Sequence, residues 1–177
     1  VVVELNSETD FVAKNAEFRE LLDTIGATIL ASDVETLEDA LNLETGNGTI
    51  NDLVVAATAK IGEKISLRRF EKVTKEDNQV FGSYLHMGGK IASLTVCDGD
   101  KEDVAKDVAM QAAAMRPLYT NVESVPAEDV EHEKSVIKEQ VINEGKKPEF
   151  ADKIVEGRIR KFFEENGNGC NAVVGIS

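Results

Sequence analysis

The chain has 177 residues and a formal net charge of −13, and it is 42% hydrophobic and 30% charged. This balance is typical of a folded globular protein of one domain or two small subdomains, and no apolar run approaches the roughly 20 residues of a membrane helix. The acidity argues against direct nucleic-acid binding, because phosphate recognition needs a basic surface. We therefore expect a chain that binds another protein or stays free in the cytosol.

The start of the chain predicts a strand followed by a long helix. β-branched residues predict a buried strand over 1–5. The suitable N-caps Ser7 and Thr9 come next, and a helix is expected to run from there to about Leu30. Its buried stripe is formed by Phe18, Leu21, Leu22, Ile25 and Ile29. The same period carried backwards places Phe11 on that stripe, so periodicity alone favours a buried Phe11.

Two further helices and an alternating strand follow. A short acidic helix is predicted over 33–41 and a longer one over 50–61, which Gly62 ends. Residues 65–73 alternate between apolar and polar side chains and predict a strand. The polar stretch 74–79 after this strand is the best candidate for a boundary between subdomains.

The second half of the chain begins with a hairpin and a helix. Strands over 80–86 and 90–97 flank Gly88 and Gly89, which supply the positive φ values that a tight turn needs. A helix then reaches about Met115. The apolar face predicted for it comprises Val104, Ala105, Val108, Ala112 and Met115.

An antiparallel pair of helices is predicted near the C-terminus. Pro126 opens the first helix, Gly145 closes it, and Pro148 opens the second. The apolar stripe of the second helix is formed by Ala151, Ile154, Val155, Ile159, Phe162 and Phe163. The joint between the two helices is short, so they are expected to fold back on each other. A last strand is predicted at 172–174.

The order of these elements predicts an α+β fold. Strand, acidic turn and helix follow one another at the start of the chain and again from residue 94, which favours two similar subdomains. We expect the first over residues 1–74 and the second over 75–177. Each would be a small antiparallel sheet packed with helices, and the antiparallel helix pair would belong to the second.

The sequence carries no catalytic or metal-binding motif. No glycine-rich phosphate loop follows a strand, and His86 and His132 lie far apart in the chain. Cys97 and Cys170 form neither a zinc ligand set nor a disulfide framework, so both are expected to be free thiols in a reducing compartment. We expect no cofactor, no bound metal and no catalytic site of the chain's own.

The stretch from Asn6 to Asn15, Asn-Ser-Glu-Thr-Asp-Phe-Val-Ala-Lys-Asn, resembles the signature of the elongation factor Ts family. Later stretches resemble the same family in the same order, at 60–69, 82–86 with 89–91, 108–114 and 155–158. The resemblance implies a guanine-nucleotide exchange factor without enzymatic activity. Its implied partner is the translational GTPase elongation factor Tu.

The resemblance also implies which residues act on that partner. In the family, one corner of the fold enters the GTPase and disturbs the site of the nucleotide-bound Mg²⁺, so that GDP leaves. The residues of this chain that match the corner are Thr9, Asp10, Phe11 and Val12. Ile91 and Gln111 match further contact positions, where family members often carry His in place of Gln111.

The resemblance implies action in the bacterial cytoplasm, with an organellar matrix or stroma as the alternative. It leaves a homodimer or a heterodimer open. The chain begins with Val, and the helical domain that precedes the family core does not precede Val1 in this sequence. A piece of a longer protein is therefore expected.

Two other functions stay open beside nucleotide exchange. An acidic structural or assembly subunit would keep the fold and lack exchange activity. A small-molecule enzyme would use the grooves around His86. Measuring GDP release from the GTPase with and without the chain would separate exchange from both.

Overall fold

The computed structural model describes residues 1–120, 122–146, 148–166 and 172–176. Their helices and small sheets form an α+β fold, which confirms the predicted class. The chain divides into two compact units. Unit 1 comprises Val1–Thr74, Leu85–Ala92 and Ile176, and unit 2 comprises the described residues of 75–84 and 93–175.

Unit 1 contains the first two strands and the first four helices. They are β1 (Val2–Asn6), α1 (Asp10–Ala13), α2 (Ala16–Leu30), α3 (Leu37–Leu41), α4 (Ile50–Ile61) and β2 (Ser66–Glu71). β1 and β2 pair antiparallel in a two-stranded sheet. The stripe predicted for the first long helix is confirmed at Phe18, Ile25 and Ile29, which lie buried in the core with Ile50 of α4.

The prediction of one continuous helix to Leu30 is wrong. α1 is a single turn that ends at Ala13, and α2 begins at Ala16. The cause is Asn15, which has extended backbone angles and whose side-chain Oδ1 accepts the backbone N–H of Glu17 at 2.8 Å. Such a side chain starts a new helix rather than continuing one. The break frees α1 from the helical phase of α2.

Side-chain caps also set the next two helices. α3 is shorter than the predicted 33–41 because Thr36 caps it, accepting the backbone N–H of Asp39 at 3.2 Å. α4 has the predicted bounds and begins with a reciprocal capping box between Thr49 and Asp52. Gly62 ends α4 at φ +80°, which confirms its predicted role.

Glu4 is a buried acid that the apolar pattern of the first strand does not reveal. Its side chain is 8% exposed, and its two carboxylate oxygens accept hydrogen bonds from Arg68 at 2.8 Å and Arg69 at 2.5 Å. Consecutive residues of a strand normally point to opposite faces. Here Glu4 pairs with Arg69 while Leu5 pairs with Leu67, so Arg68 is the extra residue of a β-bulge. The bulge re-aims the strand so that both arginines reach one carboxylate.

Replacing Glu4 with Gln should cost about 2 kcal/mol at pH 7, because a buried charged hydrogen-bond acceptor is lost. Burial alone raises the pKa of Glu4, but the hydrogen bonds and charges of Arg69 and Arg68 outweigh it and hold the pKa below its usual range. The stabilisation is therefore present above the unfolded pKa of about 4.3 and lost as the pH falls through the lower folded value. Urea unfolding of both proteins from pH 7 down to 3 should show the difference shrinking in acid. A difference that does not depend on pH would contradict this assignment.

Unit 2 carries the remaining helices and most of a second sheet. The elements are β3 (Gln79–His86), β4 (Ile91–Asp98), α5 (Glu102–Met115), a 3₁₀ turn (Val122–Ser124), α6 (Ala127–Asn143), α7 (Pro148–Asn166) and β5 (Ala172–Ile176). The strand order in this sheet is β3-β4-β5. Gly88 and Gly89, at φ +72° and +100°, make the turn of the β3–β4 hairpin as predicted. The turn end of the hairpin, Leu85–Ala92, belongs to unit 1.

The buried face of α5 differs from the prediction. It consists of Ala105, Ala109, Ala112 and Ala113, whereas Val104 and Met115 are each 49% exposed. The reason is a close approach to the hairpin, since a Cβ on Gly82 would lie 1.9 Å from the carbonyl oxygen of Ala105. The buried Thr95 donates its hydroxyl to the same oxygen at 3.0 Å. A helix held this near has room only for small side chains on its buried face.

α6 and α7 pack as a pair around their own core. The buried residues are Ile137, Val141, Ala151, Val155 and Ile159, so the stripe predicted for the second helix is confirmed at three positions. Ion pairs join Lys138 to Asp152 and Glu144 to Arg158 at 3.1 and 2.8 Å. The antiparallel course of the pair stays a prediction. Cys97 is a free thiol as expected, and Cys170 lies outside the described residues.

Candidate functional site

The corner between β1 and α2 begins at Thr9, which is held from outside its own segment. Thr9 is the N-cap of α1, but its side chain caps no backbone group. Instead its hydroxyl donates to Oε1 of Glu63 at 2.7 Å, and its backbone N–H donates to Oε2 at 3.0 Å. Glu63 directly follows Gly62, where α4 ends. The end of α4 therefore fixes where the corner starts.

Asp10 is held from a second direction. Nζ of Lys90 lies 2.5 Å from its Oδ2, although the acid side chain stays 64% exposed. Lys90 comes immediately after the glycine turn of the hairpin. The hydrogen bond from Lys90, its charge and the more distant charge of Lys14 hold the pKa of Asp10 below its usual range. Asp10 is therefore ionised at neutral pH with its carboxylate tied to one cation.

Phe11 and Val12 point in opposite directions. Phe11 is 85% exposed, so the interpretation that it belongs to the stripe of its helix is wrong. Val12 is 8% exposed and belongs to the core of unit 1 with Phe18. The break at Asn15 explains both positions, because α1 does not share the helical phase of α2. The corner thus presents an aromatic ring to solvent on a turn that is fixed on three sides.

The two other candidate residues lie in different units. Ile91 opens β4 next to Lys90, is half-buried, and belongs to unit 1 together with the corner. Gln111 is exposed on α5 and belongs to unit 2. Ile91 is therefore the candidate that the structure brings into the same unit as the corner.

A cleft of about 380 Å³ lies beside the corner, within unit 1. Residues of β1, the start of α2 and the hairpin turn line it. Its charged lining consists of four bases and two acids: Lys14, Arg19, Arg68, Lys90, Glu4 and Asp10. In the whole chain acids outnumber bases by 33 to 20. The lining of this cleft is therefore positively charged in a protein whose net charge is negative.

The described residues contain neither a cluster of metal-ligating side chains nor a membrane-spanning helix. In that part of the chain, no three His, Cys, Asp or Glu side chains cluster closely enough to hold a metal ion. No helix there is both long and apolar enough to cross a membrane. His86 is exposed on the hairpin and His132 is exposed on α6.

Comparison with known proteins agrees with the motif. The family model described as "Elongation factor TS" matches residues 8–167. The chain belongs to the elongation factor Ts family. It is 50% identical over 164 residues to elongation factor Ts of Limosilactobacillus fermentum (strain NBRC 3956 / LMG 18251), an alignment that covers 93% of this chain and 56% of that protein. The chain thus spans little more than half the length of this curated relative.

Membership of the elongation factor Ts family confirms the resemblance. Sequence reasoning did not identify the two residues that hold the corner in place, Glu63 and Lys90. Glu63 and Lys90 lie within stretches that resemble the family, at 60–69 and 89–91. Their partners in the corner are 54 and 80 residues away along the chain. A single sequence gives no signal that links positions so far apart. Glu63 and Lys90 therefore look like ordinary charged residues of the surface.

Proposed function

We propose that this chain is a guanine-nucleotide exchange factor for the GTPase elongation factor Tu, and that it has no catalytic site of its own. The observation that carries the proposal is the exposed ring of Phe11 on a turn fixed by contacts at Thr9, Asp10 and Val12. Membership of the elongation factor Ts family supplies the identity of the partner. The family and the bacterial relative support action in the bacterial cytoplasm, and an organellar matrix or stroma is the alternative.

In the proposed mechanism, Asp10 and Phe11 enter the G domain and displace the groups that hold the nucleotide-bound Mg²⁺. Mg²⁺ and the phosphates of GDP hold each other, so loss of the metal weakens nucleotide binding. The factor needs no acid or base, only a higher affinity for the nucleotide-free state. The coupling is reciprocal, so GDP weakens binding of the factor by the same ratio.

The four corner residues have two different roles in this proposal: two contact the partner and two hold the corner in place. Phe11 fills a pocket of the partner, because large exposed aromatic side chains are frequent anchors of interfaces. Asp10 contacts the partner beside it. Thr9 and Val12 hold the corner, since one is bound to Glu63 and the other is buried. A fixed corner binds better than a loose one because less conformational entropy is lost.

Ile91 and Gln111 are proposed as further contacts with the partner. Gln111 is exposed, and Ile91 is half-buried next to Lys90. The fold that carries these residues is proposed to consist of two similar subdomains, over residues 1–74 and 75–177. Two separate sheets support this division, since β1 and β2 lie in one and β3, β4 and β5 in the other, although the turn end of the hairpin, Leu85–Ala92, belongs to unit 1. Homodimer and heterodimer both stay open.

The test is the release of a fluorescent GDP analogue from elongation factor Tu, with and without the chain. Exchange activity requires faster release that saturates with the concentration of the chain. An acidic structural or assembly subunit of the same fold would leave the release rate unchanged. That result would end the proposal.

Lys90→Ala should slow GDP release by about two- to tenfold, the factor expected when one immobilised side chain becomes free. Lys90 and Asp10 are 40% and 64% exposed, so thermal unfolding should stay near that of the parent. The pKa of Asp10 should rise toward its ordinary value, which an NMR pH titration of its carboxyl group would detect. Lys90→Arg keeps the charge and should restore both properties. An unchanged pKa of Asp10 in Lys90→Ala would contradict the ion pair.

A further inference from the structure

We infer that the cationic cleft of unit 1 is a docking site for an acidic side chain of the GTPase partner, next to the corner that carries Phe11. This inference rests on the proposed function and adds a second contact of defined chemistry to it. The cleft is lined by Lys14, Arg19, Arg68 and Lys90. Three of these cations already have an acid to interact with, and one does not.

Arg19 is the cation without such a partner. Arg68 shares Glu4 with Arg69, and Lys90 is paired with Asp10. Lys14 forms no ion pair with a described residue, but its charge acts on Asp10. Arg19 forms neither a side-chain hydrogen bond nor an ion pair with any described residue. Its Nη2 lies 3.7 Å from where a Cβ on Gly88 would be, which places the guanidinium beside the hairpin turn.

A carboxylate fits this arrangement better than an apolar or cationic group. A guanidinium presents parallel N–H donors that match the two oxygens of a carboxylate. Glu4 and Asp10 are the two acids in the lining and are already bound, so the local charge is positive. A cation entering the cleft would meet Lys14 and Arg19 without a free acid to receive it.

The cleft also adjoins the proposed interface. Asp10 lines it, and Phe11 is the next residue along the chain. A partner that receives Phe11 therefore comes within reach of Arg19. An acidic chain of net charge −13 repels acidic surfaces in general, so a local positive site would steer one region of the partner to the corner.

The test compares Arg19→Glu with Lys153→Glu in the full chain. Lys153 is exposed on α7, makes no side-chain hydrogen bond or ion pair with a described residue and does not line the cleft, so its variant matches the change in net charge. Binding to nucleotide-free elongation factor Tu is measured by stopped flow at low and high salt. We expect Arg19→Glu to lower the association rate about tenfold at low salt and to weaken its salt dependence, with Arg19→Gln in between. Lys153→Glu should stay within about twofold of the parent.

Thermal melts of each variant show whether the fold is kept, and Arg19→Gln serves if Arg19→Glu unfolds. If Arg19→Glu and Lys153→Glu associate equally fast at both salt concentrations, the docking site is refuted. That outcome differs from failure of the proposed function, in which the parent itself would neither bind the GTPase nor speed GDP release. A charge effect in Arg19→Glu that salt does not screen would also overturn the inference.

Discussion

Phe11→Ala should melt within a degree or two of the parent and yet slow GDP release from elongation factor Tu by well over tenfold. Phe11 is 85% exposed, so its removal leaves no cavity in the core of unit 1. A buried phenylalanine would cost about 3–5 kcal/mol of stability. An interface anchor instead costs about 2 kcal/mol or more of partner binding when it is truncated. Thermal unfolding and the release rate of a fluorescent GDP analogue measure the two effects separately.

Phe150→Ala is the matched control for this experiment. Phe150 is a 56% exposed aromatic on α7, so its removal changes surface hydrophobicity in a similar way. It should leave the exchange rate near that of the parent. Asp10→Ala should act in the same direction as Phe11→Ala but more weakly. If Phe11→Ala unfolds early, or exchanges at the parental rate, Phe11 is not the side chain that anchors the corner in the partner.

Gly82→Ala should destabilise the protein by about 3 kcal/mol, the upper range for overpacking a buried site. The added Cβ would lie 1.9 Å from the carbonyl oxygen and 2.1 Å from the carbonyl carbon of Ala105. Backbone atoms cannot move aside as a flexible side chain can. α5 would have to shift, and the hydrogen bond from Thr95 to the same carbonyl would weaken. Urea unfolding followed by circular dichroism measures the loss.

The same substitution at Gly157 should have the opposite sign. Gly157 lies exposed within α7, and an added Cβ there would meet no atom within 4 Å beyond the backbone of its own helix and its two chain neighbours. Alanine in an exposed helix interior is favoured over glycine by about 0.5–1 kcal/mol. Gly157→Ala should therefore unfold at a slightly higher urea concentration. Equal stability of Gly82→Ala and the parent would show that α5 does not lie as close to the hairpin as described.

Local signals predicted the elements of this fold well, and they failed where tertiary contacts decide. The bounds of α4, the hairpin glycines and the stripe of α2 follow from capping residues and periodicity. Asn15 is also a local signal, because it is a strong N-cap, but the unbroken apolar period around it favoured one helix. The exposure of Phe11 depends on that break, so periodicity alone misplaced its side chain, whereas the family resemblance already implied that Phe11 contacts a partner.

Other features cannot be derived from periodicity. The alanine face of α5 is decided by the glycine on a neighbouring strand, and the burial of Glu4 is decided by a bulge in β2. The pattern of α5 alone placed Val104 and Met115 on its buried face, and the pattern of the first strand alone favoured an apolar strand. In both cases the deciding atoms belong to a different segment of the chain.

The contacts of Thr9 with Glu63 and of Asp10 with Lys90 determine whether the corner can keep its structure outside this protein. The two contacts close loops of 54 and 80 residues, which lowers the conformational entropy of the chain. They can form only because the folding of unit 1 offsets this loss. A synthetic peptide that copies residues 6–15 would lack both anchors, and an isolated single turn of helix is unstable in water. Such a peptide should therefore be a poor inhibitor of the exchange reaction.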